Sequence, residues 1–245
     1  MRRVDAALVR GIEYEAPAAP APAAPPASAA SSTSGPPDKN VFSLAFGLGA
    51  PLDDVGFGAV GGGTANDGDI GPLLGARWLR ELDGKLALGA DLEYFHRGAT
   101  NSPGLLPLAN SSVSGDNFLF MGVARWYLTE RGNARPYVLG GAGVSRSWTR
   151  VDSAPRPGFA WTDTNTDEAR RLIDDGAWAL AGTARAGVDF GWELMGPALF
   201  GLEAGYTWLQ RRRFEATPAG RDLGLTGVDG ALRVFTFAAR WSWRW

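Results

Sequence analysis

The sequence predicts an all-β fold: an eight-stranded antiparallel up-and-down transmembrane β-barrel that follows a disordered N-terminal tail. Three observations predict this fold. After residue 40, large apolar residues alternate with small or charged ones in eight segments, which is the side-chain period of a β-strand. The connections between these segments are alternately long and short. Aromatic residues concentrate towards both ends of the segments, as they do at the two surfaces of a membrane.

The first 40 residues lack the pattern of a folded domain. Ala16 to Pro37 form a tract of alanine, proline and serine, which can bury no core and should behave as an extended tether. We therefore expect a disordered tail and linker over residues 1–40 and the barrel domain over 41–245. A proline-rich ligand for a partner protein is the alternative for this tract. Asp5 and Arg10 interrupt the opening stretch, so it does not match a secretory signal peptide, and an export signal is expected upstream.

The connections between the segments indicate a meander. The eight segments lie at approximately 41–50, 70–82, 85–97, 117–129, 136–150, 176–193, 198–211 and 231–245. The long connections are 51–69, 98–116, 151–175 and 212–230, and the short ones are 83–84, 130–135 and 194–197. Asp83 and Gly84, between alternating segments, predict a two-residue hairpin in which both residues adopt positive φ. All long loops then lie at one end, and closure into a barrel removes the exposed sheet edges.

Within each segment the alternation separates an apolar face from a small or polar one. In the first segment, Phe42, Leu44, Phe46 and Leu48 oppose small residues. In the second and fourth segments, an arginine of the polar face precedes a tryptophan of the apolar face, as Arg77-Trp78 and Arg125-Trp126. The apolar faces of the later strands contain Leu88, Leu92 and Tyr94 in the third, Trp178, Leu180 and Val188 in the sixth, and Phe200, Leu202, Tyr206 and Trp208 in the seventh. The fifth segment, within RPYVLGGAGVSRSW, has glycines on both faces, so its orientation is not predicted.

The large apolar faces are predicted to point outward into lipid. They would overfill the interior of an eight-stranded barrel, whereas the small and charged faces fit it. The aromatic side chains then form a girdle of two belts. The upper belt, beside the long loops, contains Tyr94, Phe118, Phe120, Trp148, Trp178, Trp208, Phe235 and Phe237; the lower belt contains Trp78, Trp126, Trp192, Trp243 and Trp245, and Trp241 belongs to the same girdle. The alternative is a soluble barrel whose core contains these tryptophans.

Charged residues of both signs occupy the predicted interior. They are Arg77, Asp91, Glu93, Arg125, Arg185, Asp189, Glu203, Arg240 and Arg244. Charges in so narrow a lumen must pair, because an unpaired buried charge carries a heavy desolvation cost. We therefore expect a ladder of arginine–carboxylate pairs that plugs the lumen. The alternative is a narrow, gated pore for small solutes that the same residues line.

The hairpin rhythm, the RPYVLGGAGVS stretch after a short turn and the aromatic last strand together resemble the OmpA/OmpX type of eight-stranded outer-membrane barrel over residues 41–245. In that family the last strand, usually ending in Phe, is the recognition signal for the barrel-insertion machinery. Here Trp243 and Trp245 match its aromatic positions, Trp replaces the final Phe, and Arg240 stands where Gly is common. The resemblance implies a monomer in the outer membrane of a Gram-negative bacterium, with membrane lipid and the insertion machinery as partners.

Composition removes several classes of function. There are no cysteines and one histidine, which excludes disulfides and Cys-ligated metals and removes most zinc, haem and Ser-His catalytic arrangements. A net charge of −2 gives no reason to expect nucleic acid. No run of about 18 apolar residues is present to form a transmembrane helix. We therefore expect a structural or surface-interaction protein with no catalytic site, metal or cofactor.

Two motifs leave a minor alternative to this interpretation. His96 is the only candidate base, and it lies near the upper rim, where an enzyme that modifies membrane lipids would need it; the His-X-Ser pattern of outer-membrane deacylases is absent, because Arg97 and Gly98 follow. Asp163, Asn165 and Asp167 have the spacing of a calcium loop, but Glu168 stands where that loop needs Gly. The favoured interpretation is a solvated acidic loop with a short helix that Thr166 begins.

Overall fold

The computed structural model describes residues 39–52, 70–102, 108–129, 132–191 and 198–245. Most of the predicted N-terminal tail, including the Ala/Pro tract, lies outside the described residues. The described chain forms eight strands and one short helix: β1 (Lys39–Pro51), β2 (Gly71–Glu81), β3 (Leu86–Ser102), β4 (Ala109–Tyr127), β5 (Ala134–Pro155), β6 (Arg170–Gly191), β7 (Ala198–Glu215), α1 (Pro218–Asp222) and β8 (Gly227–Arg244).

The eight strands form a closed barrel in chain order, and every neighbouring pair is antiparallel. The predicted eight-stranded up-and-down barrel is therefore confirmed. β1 pairs with β8 from Val41 opposite Arg244 to Pro51 opposite Val234, which closes the ring. Asn40 and Trp245 exchange two backbone hydrogen bonds of 2.9 and 3.1 Å, so the pairing reaches the last residue. Closure therefore leaves neither β1 nor β8 as an edge strand with one side unpaired along its whole length.

Several strands extend further towards the long loops than the alternation predicts. β4 begins at Ala109 and β6 at Arg170, inside segments predicted to be loop. The reason is a second apolar cluster inside this end of the barrel, formed by Val113, Val151, Leu172, Ile173, Phe214, Ala216, Leu225 and Val228. Burial of these side chains stabilises the extra strand pairing. β1 and β2 stop at Pro51 and Gly71, so the extension is formed by the other six strands.

Two local predictions were wrong. The Asp83-Gly84 hairpin is present, but neither residue has positive φ; instead Asp83 Oδ1 accepts hydrogen bonds from the backbone N–H groups of Lys85 and Leu86, at 2.7 and 2.6 Å. This side-chain cap closes a wider turn than the two-residue type. Thr166 begins no helix, because Arg170 onwards belongs to β6. The helix of the described chain is α1, and Thr217 caps it by accepting from the Gly220 N–H at 3.2 Å.

Among the described residues, no helix combines the length and apolar composition needed to cross a membrane.

Candidate functional site

Six charged side chains meet at the centre of the barrel interior, three arginines and three carboxylates. They are Arg77 from β2, Asp91 and Glu93 from β3, Arg185 from β6, Glu203 from β7 and Arg240 from β8, and each residue is at most 4% exposed. We call these six residues the central cluster. They point inward because each lies on the strand face opposite the large apolar residues. Their formal charges balance, so the central cluster is neutral as a whole.

Glu203 is the hub of the central cluster. Arg77 Nη1 donates to its Oε2 at 2.7 Å, and Arg240 Nη2 donates to its Oε1 at 2.8 Å. Arg185 Nη1 also donates to Oε1, at 3.1 Å. The hydroxyl of Tyr137 donates to Oε2 at 2.9 Å. One carboxylate therefore holds three guanidinium groups that come from three different strands.

The other two carboxylates complete the central cluster. Arg77 Nε donates to Asp91 Oδ2 at 2.9 Å. Both terminal nitrogens of Arg185 donate to the two oxygens of Glu93, which is the two-pronged geometry that makes arginine–carboxylate pairs strong. Arg240 Nη2 reaches Glu93 Oε1 at 3.3 Å. The six residues thus form one connected network rather than three separate pairs.

A second group of charges lies towards the short turns. Arg125 Nη1 donates to Asp189 Oδ2 at 2.8 Å, and the hydroxyl of Tyr127 donates to the same oxygen at 2.9 Å. The Arg125 guanidinium also lies 4.1 Å from the centroid of the Tyr137 ring. At the end of the barrel, Glu81 Oε1 lies 3.4 Å from Arg135 Nη1 and 3.1 Å from Arg244 Nη2. The ion pairs therefore continue from the centre to the lower mouth.

The structure places all nine charged residues of the predicted ladder in the interior, and each lies within ion-pair distance of an opposite charge. Sequence reasoning missed four further members: Glu81, Tyr127, Arg135 and Tyr137. β5 carries Arg135 and Tyr137 and is the strand whose orientation the sequence left open; Tyr137, Leu139 and Ser145 point inward. The signal that was present is the Arg-Pro-Tyr spacing, which puts Arg135 and Tyr137 on one face.

Inward glycines make room for these long side chains. A Cβ on Gly187 would lie 2.5 Å from the Tyr137 hydroxyl oxygen, and a Cβ on Gly205 would lie 2.4 Å from Arg185 Cγ. No real Cβ fits at such distances, so glycine at these positions lets Tyr137 and Arg185 lie across the neighbouring strand. The narrow lumen can accommodate a dense charged network only because its other inward positions are this small.

Above the central cluster, towards the long loops, the lumen is filled by apolar side chains. A cavity of about 10 Å³ remains there, lined by Leu73, Glu93, Phe95, Asn117, Leu119, Thr207, Leu209, Leu232, Val234 and Thr236. Such a volume holds about one water molecule. Within the described part of the barrel, this level offers no wide aqueous passage.

The exterior has the opposite character. Phe46 and Trp178 are 62% and 60% exposed, and most large apolar residues of the outward faces are similarly accessible. The predicted girdle residues with exposed rings are Trp78, Phe118, Phe120, Trp126, Trp148, Trp178, Trp208, Phe235, Phe237, Trp241, Trp243 and Trp245, and Tyr94 is half-buried. Trp192 lies outside the described residues. A continuous apolar surface of this extent is not expected of a monomer in water.

His96 lies on this exterior, at the upper end of the apolar band. Its Nδ1 is 2.8 Å from Asp116 Oδ1, and the Tyr94 hydroxyl donates to the same oxygen at 2.7 Å. Sequence reasoning did not predict this pairing, because His96 and Asp116 lie on different strands and meet only through the β3–β4 register. In the described part of the chain, no serine or threonine hydroxyl is hydrogen-bonded to His96.

The third long loop is held by an ion pair. Arg170 donates from Nη1 to Asp163 Oδ2 at 2.8 Å and from Nη2 to Asp163 Oδ1 at 2.9 Å. These hydrogen bonds lower the pKa of the Asp163 carboxyl below its ordinary value of 3.8. Asp163 therefore serves as the partner of an arginine. No group of three or more His, Cys, Asp or Glu with metal-binding geometry is found among the residues that the structure describes.

Comparison with known proteins gives matches in structure alone. No family model and no curated protein matches the sequence. Solved structures that resemble the barrel include the outer membrane protein OprG from Pseudomonas aeruginosa, with 16% identity over 85% of this chain and 96% of that one and a TM-score of 0.45. Neisserial surface protein A has 10% identity over 84% and 96% of the two chains and a TM-score of 0.42.

The attachment invasion locus protein Ail of Yersinia pestis has 13% identity over 85% of this chain and 99% of that one, with a TM-score of 0.42. All three are eight-stranded outer-membrane barrels, the type of protein that this sequence resembles. At these identities and scores, the likeness carries nothing about the role of this chain.

Proposed function

We propose that the chain is an integral outer-membrane barrel of a Gram-negative bacterium that has a structural or surface-interaction role, and that arginine–carboxylate pairs plug its lumen. The observation that carries this proposal is the opposite solvation of the two faces of one sheet. Arg77, Arg125 and Arg240 are at most 1% exposed inside, while Phe46, Trp178 and Phe237 are more than 50% exposed outside. In water this arrangement would be inverted, whereas in lipid both faces meet a suitable environment.

The contacts of the central cluster support the plug. An ion that crosses the lumen must stay hydrated or exchange its water for protein ligands, and the charges that could replace that water are held in ion pairs with one another. Glu203 alone accepts hydrogen bonds from three arginines. The small cavity above offers about 10 Å³, the size of a single water. These features favour a closed lumen over the passive-pore alternative.

Three features of the barrel support the proposed partners and oligomeric state. The exposed aromatic girdle supports membrane lipid as the surrounding partner. The pairing of β8 with β1 supports an insertion step in which the last strand seals the ring, which is the part that the insertion machinery would recognise. Closure within one chain supports a monomer, because β1 and β8 satisfy each other. Any recognition at the cell surface would fall to the long loops.

Single-channel recording in a planar lipid bilayer tests the plug. The double variant Asp91→Ala and Glu203→Ala removes two of the three carboxylates of the central cluster, so its arginines lose most of their ion-pair partners. We expect the wild-type protein to show little or no conductance and the double variant to conduct measurably. The matched control replaces the exposed carboxylates Asp229 and Asp174 with alanine, because neither lies in the lumen.

Two results would contradict the plug. One is a wild-type protein that already conducts as strongly as the double variant, which would favour the narrow pore. The other is a double variant that differs from wild type in neither conductance nor stability, since the carboxylates would then hold nothing closed. The control variant should conduct no more than wild type.

A further inference from the structure

Two buried arginines in the upper lumen have no carboxylate partner among the residues that the structure describes. Arg97 on β3 is 3% exposed and Arg212 on β7 is 7% exposed. Both lie on the loop side of the upper aromatic belt, Arg97 beyond Tyr94 along β3 and Arg212 beyond Trp208 along β7. They are separated from the central cluster by the apolar layer that contains Phe95. The pairing that accounts for the rest of the lumen therefore does not account for them.

Within the described chain, every other buried arginine has a carboxylate partner. Seven arginines are buried there: Arg77, Arg97, Arg125, Arg135, Arg185, Arg212 and Arg240. Five of the seven have a carboxylate oxygen within 4 Å. Arg97 and Arg212 have neutral partners only. Because a buried charge without a counter-charge is strongly disfavoured, these two positions call for an anion.

The neutral contacts of the two side chains bring both guanidinium groups to β4 and β5. Arg97 Nη2 donates to the Thr149 hydroxyl at 3.2 Å, and Arg212 Nη2 donates to Asn117 Oδ1 at 3.1 Å. Ser147 donates to the same Asn117 oxygen at 2.6 Å. Thr149 and Ser147 are inward neighbours on β5, so the two guanidinium groups converge on one patch of wall. There they repel each other as like charges.

Several donors at this patch remain unused. Arg97 Nε, Arg212 Nε and Arg212 Nη1 are buried without a hydrogen-bond partner in the described part of the chain, as are single donors on Arg135 and Arg240 and two on Arg125, but only Arg97 and Arg212 also lack a carboxylate there. Buried donors without partners are rare, and each one carries a cost. A single carboxylate offers two oxygens, whereas a tetrahedral oxyanion offers four oxygens in different directions and suits donors from two separate guanidinium groups. The Thr149 hydroxyl accepts from Arg97 and can donate its own hydrogen to the same ion.

We propose that Arg97 and Arg212 form a binding site for a small tetrahedral oxyanion, phosphate or sulfate, in the upper lumen. Arg97 and Arg212 lie on the loop side of the central cluster, on strands β3 and β7 that continue past the levels at which β1 ends and β2 begins. An ion that enters from the loop side would therefore not have to cross the central cluster to meet Arg97. The neutral central cluster blocks its passage below, so the site holds the ion rather than conducting it.

Isothermal titration calorimetry on the full chain, refolded in non-ionic detergent micelles in a chloride buffer, tests the site with inorganic phosphate and, separately, with sulfate. We expect saturable binding of one ion per barrel, with acetate much weaker at equal ionic strength. Arg97→Gln and Arg212→Gln should each weaken binding about tenfold or more, since each removes charged hydrogen bonds to the ion. The matched control is Arg213→Gln, because Arg213 is the exposed neighbour of Arg212 and bonds Thr226 instead.

A second measurement does not depend on the variants folding well. Millimolar phosphate added to the wild-type protein should raise its urea unfolding midpoint along a curve that follows site occupancy, because a ligand that binds only the folded state stabilises it. Chloride at the same ionic strength should not raise it. The non-specific stabilisation by phosphate as an excluded salt instead grows steadily with concentration up to the molar range. The proposal is overturned if phosphate and sulfate show no saturable binding to wild type, if acetate binds as well as they do, or if Arg97→Gln and Arg212→Gln bind like the Arg213→Gln control.

Discussion

Replacement of Glu203 with glutamine is the most direct perturbation of the charged interior. The substitution keeps the size of the side chain and removes its charge. Glu203 lies 2.7 Å from Arg77, 2.8 Å from Arg240 and 3.1 Å from Arg185. After the change, three buried arginines share the two carboxylates Asp91 and Glu93, so the central cluster carries one uncompensated positive charge. Breaking a buried ion pair from one side costs about 3–5 kcal/mol, and we expect a loss of stability in that range.

Equilibrium urea unfolding of the protein in detergent micelles, followed by tryptophan fluorescence, measures this loss. With a slope of about 1–3 kcal/mol per molar urea, the midpoint should fall by roughly 1–5 M. The control is Asp229→Asn, which removes an exposed carboxylate 3.5 Å from Arg211 and should leave the midpoint unchanged. A Glu203→Gln midpoint equal to that of the control would refute the role of Glu203 as the hub.

Charge balance gives a second arm to the same experiment. Adding Arg240→Gln to Glu203→Gln leaves two arginines, Arg77 and Arg185, with two carboxylates. The double variant should therefore be more stable than the sum of the two single changes, since the second change removes the uncompensated charge. Strict additivity would show that Glu203 and Arg240 do not act on each other, which would contradict their 2.8 Å contact.

Two further predictions concern the exterior and the third loop. Phe46→Arg places a charge in the apolar band and should destabilise the vesicle-inserted barrel by about 2–4 kcal/mol. The control Phe159→Arg changes an exposed residue of the third loop and should not destabilise the barrel. Equal urea midpoints for the two variants would contradict a lipid-facing exterior. The pKa of Asp163 is lowered by Arg170, so the ion pair contributes above pH 3.8 and is lost as the pH falls through that lowered pKa. Protection of the amides of residues 156–169 against hydrogen exchange, after division by the intrinsic exchange rate at each pH, should fall over this window in wild type and stay constant in Asp163→Asn. Identical protection profiles for the two proteins would exclude the ion pair as the cause.

The direction of each side chain was predictable where the alternation is strict. In β8, Trp241 and Trp243 are exposed while Arg240 is buried, as a period of two requires. The same rule cannot orient β5, because Gly140, Gly141 and Gly143 contribute no large side chain to either face. The inward position of Tyr137, and so its hydrogen bond to Glu203, appears only when the register is known.

The choice of ion-pair partners was not predictable from the sequence. Alternation indicates that a side chain points inward but not how high it lies along the barrel axis. Arg77 and Glu203 meet across the lumen although they are 126 residues apart in sequence. Their contact depends on the registers of all the strands between them. The paired charges could therefore be predicted as a set, but the hub role of Glu203 could not.

The loop predictions failed where tertiary pairing outweighs local preference. Thr166 and Thr217 are both suited to begin a helix, yet only Thr217 does so. The residues after Thr166 are drawn into β6, where Ile173 pairs with Val151 and both are fully buried. Burial of an apolar side chain outweighs a capping preference of about 1 kcal/mol. The apolar cluster to which Ile173 and Val151 belong also explains why the strands are longer than the segments that the alternation predicts.

Reconstitution into lipid vesicles tests the central claim most directly, namely that the apolar exterior meets lipid while the charged face is enclosed. The full chain, refolded with vesicles, is washed at alkaline pH, floated on a density gradient and run on a gel with and without boiling. The structure predicts that the protein floats with the vesicles and that the unboiled, folded barrel migrates differently from the boiled chain. A protein that stays in solution without lipid or detergent and shows no heat-dependent shift would contradict the account.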